Sequence, residues 1–203
     1  MLSQLAELVF PASCPGCGQR AEPVCPRCRG SLTAAPPLPS PRGLDELVAR
    51  FAYVGVAREL VARAKYRRRH AALAWLAAEL VTVLPPGARG ADLVVWAPTT
   101  VARRRTRGFD QAEILARRIA AAIDRPVVGA LRRGAGDAQT GRARADRLGA
   151  PVFTVAAPER VQGRTVVLVD DVVTTGATMS AAAAALRSAG AEHVIGAAVA
   201  RRP

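Results

Sequence analysis

The chain has very little lysine and few aromatic residues. Of its 29 basic residues only Lys65 is lysine, and no glycine-rich run leads into it. A G-x-x-x-x-G-K-[ST] phosphate loop is therefore absent, which excludes P-loop NTPase chemistry. Two tryptophans, two tyrosines and four phenylalanines are too few for a long stacking platform along single-stranded nucleic acid. No apolar run approaches the length of a membrane span. Cysteine is confined to four positions, all within the first 28 residues.

What the chain has in excess is arginine and small apolar residues. Half of its 203 residues are apolar, and the net charge is +13. That is enough apolar material for one α/β core and a small accessory module. The positive surplus favours polyanionic partners, with binding that weakens as salt rises.

The richest stretch is Val166 to Ser180, VVLVDDVVTTGATMS. Val166-Val167-Leu168-Val169 reads as a strand buried on both faces, as in a parallel sheet covered by helices. Asp170 and Asp171 then fall at its carboxyl end, the edge where open α/β sheets bind ligands. Thr174-Thr175-Gly176-Ala177-Thr178 follows as a tight loop into a helix starting near Thr178 to Ser180, with Gly176 suited to positive φ. Backbone N–H groups at such a loop and the three threonine hydroxyls suit a monophosphate. Adjacent carboxylates suit the vicinal hydroxyls of a sugar, so the chemistry suggested is a ribose 5-phosphate. The plainer alternative is that Asp170 only caps a turn.

Cys14, Cys17, Cys25 and Cys28 form two C-x2-C units seven residues apart. Two such knuckles complete a closed four-thiolate zinc site with no open position for catalysis. A disulfide pair or a redox dithiol fits less well, because neither an export signal nor a strand-then-CxxC-helix context is present. The opening MLSQLAELVFPASC, with Gln4 and Glu7 inside its apolar stretch, reads as a short amphipathic helix. The expectation is a cytoplasmic protein without a membrane span.

Along the chain, residues 1–34 read as the amino-terminal helix and zinc ribbon, 35–43 as a proline-rich linker and 44–203 as the main domain. Strands are expected at Leu47 to Val54, Leu93 to Trp96, Val127-Val128, Val152 to Val155, Val166 to Val169 and Val194 to Val199. Helices are expected at Arg58 to Arg67, Ala71 to Leu84, and Asp110 to Ile123 with Asp110 as its cap. The alternation predicts a doubly wound, largely parallel sheet. Ala97 to Gln111 reads as a basic loop at a strand end, and the Gly- and Arg-rich stretch Leu131 to Ala150 as a mobile lid. Tyr66 and Phe109, each beside arginines, are the candidate exposed stackers. Lys65, kept as lysine in an arginine-rich chain, is expected near the phosphate site.

DDVVTTGAT resembles the ribose-phosphate loop of type I phosphoribosyltransferases. With the four cysteines, Ala64-Lys65-Tyr66-Arg67 and Arg105-Thr106-Arg107-Gly108-Phe109-Asp110-Gln111, the whole chain resembles the ComF competence family. The resemblance implies a type I phosphoribosyltransferase-like parallel sheet flanked by helices, with a small amino-terminal zinc ribbon. It implies binding of 5-phosphoribosyl 1-pyrophosphate (PRPP) with Mg²⁺. Asp170 and Asp171, the catalytic pair, would hold the ribose hydroxyls, and Thr174, Thr175, Gly176, Ala177 and Thr178 the 5-phosphate. Lys65, Tyr66, Arg103, Arg105, Arg107 and Gly108 would face pyrophosphate or nucleic acid. Gln139 and Arg147 match a hood over the reacting centre. The family more often has Asn at the position of Asp110, which here would set an anion near the diphosphate. The implied role is DNA uptake, natural transformation or single-stranded DNA handling, with a helicase or other DNA-processing partner. The alternative is an active phosphoribosyltransferase of nucleotide metabolism or salvage.

Overall fold

The structure is a computed structural model that describes residues 13–21, 23–64, 70–134 and 151–203. Its main sheet has four parallel strands: β1 (Glu46–Ala52), β2 (Leu93–Trp96), β5 (Thr165–Val173) and β6 (His193–Arg201), in the order β1-β6-β5-β2. Two short strands, β3 (Leu131–Arg133) and β4 (Phe153–Val155), form a separate antiparallel pair. The helices are α1 (Pro26–Gly30), α2 (Gly55–Arg63), α3 (His70–Thr82), α4 (Pro86–Arg89), α5 (Val101–Arg107), α6 (Gln111–Ala122) and α7 (Ala177–Ser188).

Val166 to Val169 are each fully buried, as the run of β-branched residues predicts. Successive residues serve opposite faces. Val167 and Val169 join a core with Leu73, Leu76 and Leu80 of α3 and Leu115 and Ile119 of α6. Val166 and Leu168 join a second core with Met179, Ala182 and Leu186 of α7 and Phe153 of β4. Helices thus cover both faces of the sheet. The first helices to pack on the sheet after neighbouring β2 and β5, α6 and α7, lie on opposite faces, which opens a crevice at the strands' carboxyl ends.

Four expectations need correction. The stretch 97–111 is not a plain loop, because residues 101–107 form α5. Thr100 caps its start, accepting the Arg103 N–H at 3.3 Å, and Gly108 ends it at φ 79°. Gly108 therefore closes α5 rather than opening α6. The stretch 131–150 is not wholly a lid, since Leu131 is buried in the second core and pairs with Val155. Val127 makes only a single parallel bridge to Val94, outside any named strand. Finally, β5 runs four residues beyond Val169, so Asp170 and Asp171 lie within the strand.

The cysteine knuckles are attached to the main domain rather than tethered beside it. Cys14, Val24, Cys25 and Cys28 belong to the same core as Ala57, Leu60 and Leu73. The Arg29 guanidinium sits 5.4 Å from the centre of the Trp75 ring on α3. The following chain runs along β1, with Ala34 bridged to Phe51 and Ala52 donating to the Thr33 carbonyl at 3.0 Å. The outer edge of the sheet is thereby covered. No helix among the described residues is long and apolar enough to cross a membrane.

Candidate functional site

The crevice forms because two paired strands end at different heights. The β2 ladder closes with the Ala97 N–H donating to the Val169 carbonyl at 2.9 Å, after which that chain leaves for α5. Strand β5 continues beside β6, pairing Asp170 with Ala198 and Val173 with Arg201. Asp170 and Asp171 are thus presented where β2 no longer covers them. Asp170 Oδ1 accepts the Asp171 N–H at 2.8 Å. Burial, and then the neighbouring Asp171 charge, push the Asp170 carboxyl well above its ordinary value.

Beyond β5 the chain turns at Gly176, whose φ is 78°. A Cβ there would lie 2.8 Å from Cγ of Pro41, so backbone conformation and packing both require glycine. Gly176 has no side chain to cap α7, and the Ala177 N–H meets Thr175 Oγ1 at 3.4 Å. The start of this twelve-residue helix offers N–H donors to an anion.

A cavity of about 210 Å³ occupies the crevice. Asp170, Asp171, Thr174 and Thr178 line it from β5 and the start of α7, and Thr99, Arg103 and Arg107 from the segment that follows β2. Arg103 and Arg107 are four residues apart, so one face of α5 presents both. Arg133 enters from β3, donating to the Pro98 carbonyl at 3.4 Å with its guanidinium 5.4 Å from the centre of the Phe153 ring. Burial, and then Arg103, lower the tendency of Arg133 to hold its proton. Asp110 and Gln111 complete the floor. Asp110 is 4% exposed and caps α6, with Oδ1 accepting the Ala112 N–H at 3.1 Å and Oδ2 the Thr99 N–H at 2.8 Å. Burial raises its pKa. A larger cavity, about 780 Å³, lies between β4 and α7, but no charged side chain lines it.

Three contributors were not singled out from the sequence: Thr99, Gln111 and Arg133. Gln111 closes the RTRGFDQ motif, which was a signal; Arg133 reaches the crevice only through the β3–β4 pair. Among the described residues, Arg105 and Gly108 do not line the cavity, and Thr175, Gly176 and Ala177 flank it. Phe109 is half-buried against the first core rather than an exposed stacker. Lys65, Tyr66, Gln139 and Arg147 lie outside the described residues.

The four cysteine sulfurs lie within 4.8 Å of one another, and Cys17 Sγ is 3.6 Å from Cys25 Sγ. That separation is too long for a disulfide, and all four thiols are unbridged. Backbone N–H groups already point at the sulfurs, from Gly16 and Cys25 to Cys14 and from Cys28 to Cys25, each at 3.4 Å. Burial opposes ionisation of Cys14, but N–H groups from Cys25, Cys17 and Gly16 outweigh it and bring its pKa to about 6. The donor set and spacing fit a structural metal such as zinc.

The model for the phosphoribosyl transferase domain matches residues 101–203, just over half of the chain and all of the cavity's lining except Ala97 and Thr99. This chain belongs to the phosphoribosyl transferase domain family. The match spans α5 through β6 of the phosphoribosyl transferase domain and leaves the cysteine module outside it. Similar solved structures include the glutamine PRPP amidotransferase from B. subtilis complexed with ADP and GMP, at 24% identity and a TM-score of 0.47, covering 63% of this chain and 26% of that one. A structure described as the allosteric regulatory enzyme of purine biosynthesis gives 23% and 0.44, covering 64% and 26%. A purine phosphoribosyltransferase from Pyrococcus horikoshii Ot3 gives 19% and 0.38, covering 60% and 70%. The chain thus spans about a quarter of the length of the first two. No curated protein matches it.

Proposed function

We propose that the chain is a ComF-like protein that binds PRPP, or a related phosphoribosyl ligand, in the crevice between β2 and β5. One observation carries this reading: two adjacent carboxylates, a Thr-Gly helix start and three guanidiniums converge on a single cavity of about 210 Å³. The ribose hydroxyls would donate to Asp170 and Asp171. The 5-phosphate would rest on Thr174 to Thr178, and Arg103, Arg107 and Arg133 would hold the diphosphate. Mg²⁺ suits a site holding Asp170, Asp171 and a buried Gln111 oxygen without a partner among the described residues, and when bound it would neutralise diphosphate charge. The cysteine cluster would hold zinc as a structural centre.

If the site turns over, the Asp170 and Asp171 carboxylates would steady positive charge developing at ribose C1 as diphosphate leaves. That is the alternative reading, a phosphoribosyltransferase of nucleotide metabolism or salvage. A role in DNA uptake or single-stranded DNA handling would draw on exposed positive charge. No residue of α5 is buried, and its Arg104 and Arg105 stand exposed beside the cavity, in a chain of net charge +13. In this reading the protein works in the cytoplasm, with a helicase or other DNA-processing protein as partner. The domains in this reading would be 1–34, 35–43 and 44–203, with the first packed on the core of the last.

The test is a salt series of single-stranded DNA binding with the wild type and an Arg104→Ala/Arg105→Ala variant. The expected result is affinity that falls steeply with salt, with a slope reduced by about one to two in the variant. Salt-independent or absent DNA binding would reject the nucleic-acid role and leave the phosphoribosyl reading to stand alone.

A further inference from the structure

Gln111, the first residue of α6, is 3% exposed and lines the cavity. Its Nε2 donates to the Val61 carbonyl of α2 at 3.4 Å. That contact sets the orientation of the amide, since turning it over would place two acceptors face to face. Oε1 is then left without a hydrogen-bond partner among the described residues. Buried side-chain acceptors ordinarily have one.

The surroundings decide what kind of donor belongs there. Asp110, Asp170 and Asp171 line the same cavity as Gln111, so this part of the wall is rich in acceptors. A bare diphosphate drawn in by Arg103, Arg107 and Arg133 would be repelled by three carboxylates. A hydrated divalent cation reverses the balance, because its charge offsets theirs and its waters are donors. A cavity of about 210 Å³ has room for several waters at about 30 Å³ each. Among the described residues only the cysteines bring three or more metal-ligating side chains close enough to chelate an ion. A cation beside Asp170 would therefore be held largely through water, the mode that Mg²⁺ favours.

We propose that Gln111 is a binding residue for the hydrated Mg²⁺ that accompanies the diphosphate: Oε1 accepts a hydrogen bond from a metal-bound water while Nε2 stays on the Val61 carbonyl. This rests on the phosphoribosyl reading of the site. It also ties the last turn of α2 to the occupancy of the cavity. An N–H of a second substrate offers the same donor chemistry, and the presence or absence of Mg²⁺ separates the two sources.

The experiment is calorimetric titration of inorganic diphosphate, with Mg²⁺ or with EDTA, and separately of ribose 5-phosphate. It uses the zinc-loaded full chain as wild type, Gln111→Met and Gln111→Glu. Gln111→Met is expected to weaken Mg²⁺-diphosphate binding about tenfold, the size of one lost hydrogen bond. It should leave ribose 5-phosphate, and diphosphate in EDTA, within about twofold of wild type. Gln111→Glu keeps the acceptor, and its buried carboxyl would take up a proton to donate to the Val61 carbonyl in place of Nε2, so it should bind Mg²⁺-diphosphate within about threefold of wild type. This second variant decides the matter if Gln111→Met folds poorly, and a loss of about tenfold or more in a folded Gln111→Glu overturns the proposal. An equal penalty with and without Mg²⁺ assigns Oε1 to another donor and overturns it. Equal loss of ribose 5-phosphate binding marks a purely structural residue and also overturns it. A wild type that binds ribose 5-phosphate but not Mg²⁺-diphosphate rejects this inference alone. One that binds neither rejects the phosphoribosyl reading as well.

Discussion

Asp110 Oδ2 accepts the Thr99 N–H at 2.8 Å while its Oδ1 caps α6 through Ala112. One buried carboxylate thus pins the chain leaving β2 to the helix that follows α5. Both oxygens are committed to backbone donors, which accounts for Asp at a position where an asparagine offers only one acceptor oxygen. Asp110→Ala leaves two donors without partners and should cost about 2 kcal/mol or more. At this chain length that lowers the melting temperature by about 4–8 °C. An unchanged melting temperature with tighter PRPP binding would instead show Asp110 acting mainly as an anion that repels diphosphate.

Asp170 holds its proton more tightly in the folded state than in the unfolded chain, because of burial and then Asp171. Stability from this group is therefore greatest below the ordinary carboxylate value of 3.8 and falls as pH rises toward the folded value. Asp170→Asn keeps an oxygen for the Asp171 N–H and removes the repulsion. Its melting temperature should rise by about 2–4 °C at neutral pH, a gain of about 1 kcal/mol, while ligand binding is lost. Thermal melts from about pH 4 to pH 7 should show a flatter profile for the variant. Parallel profiles would contradict this account.

Asp45 runs in the opposite direction. Burial alone would raise its pKa, but the Val194 N–H at 2.7 Å and the Arg187 guanidinium hold it below 3.8. Its contribution is present above the unfolded value and disappears as pH falls through the folded one. Asp45→Asn should therefore lower stability at pH 7 and shrink the loss on acidification. Acid titration monitored by circular dichroism checks this.

The cysteine cluster shares a core with α2 and α3, so metal removal should be felt throughout the main domain. With a zinc chelator present, the melting temperature should fall by about 10 °C or more, in a single cooperative transition. Cys28→Ser should reproduce most of that shift. A chelator-insensitive main transition would show that the knuckles fold apart from the sheet.

Much of the sheet and of its acidic edge was legible in the sequence because the signals are local. Val166 to Val169 announce a doubly buried strand, Asp110 announces a cap, and Gly176 announces a left-handed turn. Helix α5 was not legible because it buries nothing, and a run of arginines carries no hydrophobic period. Arg133 was missed because a tertiary pairing, Arg133 with Phe153, brings it to the crevice. The Gln111 oxygen became conspicuous only once the Val61 carbonyl was seen to occupy the other end of its amide.

The most direct test of the central claim is calorimetric titration of PRPP with Mg²⁺ into the zinc-loaded protein, beside the Asp170→Asn/Asp171→Asn variant. The account predicts saturable binding by the wild type that is lost in a folded variant. Absence of binding by a folded wild type, or equal binding by both proteins, would contradict a phosphoribosyl site at the end of β5.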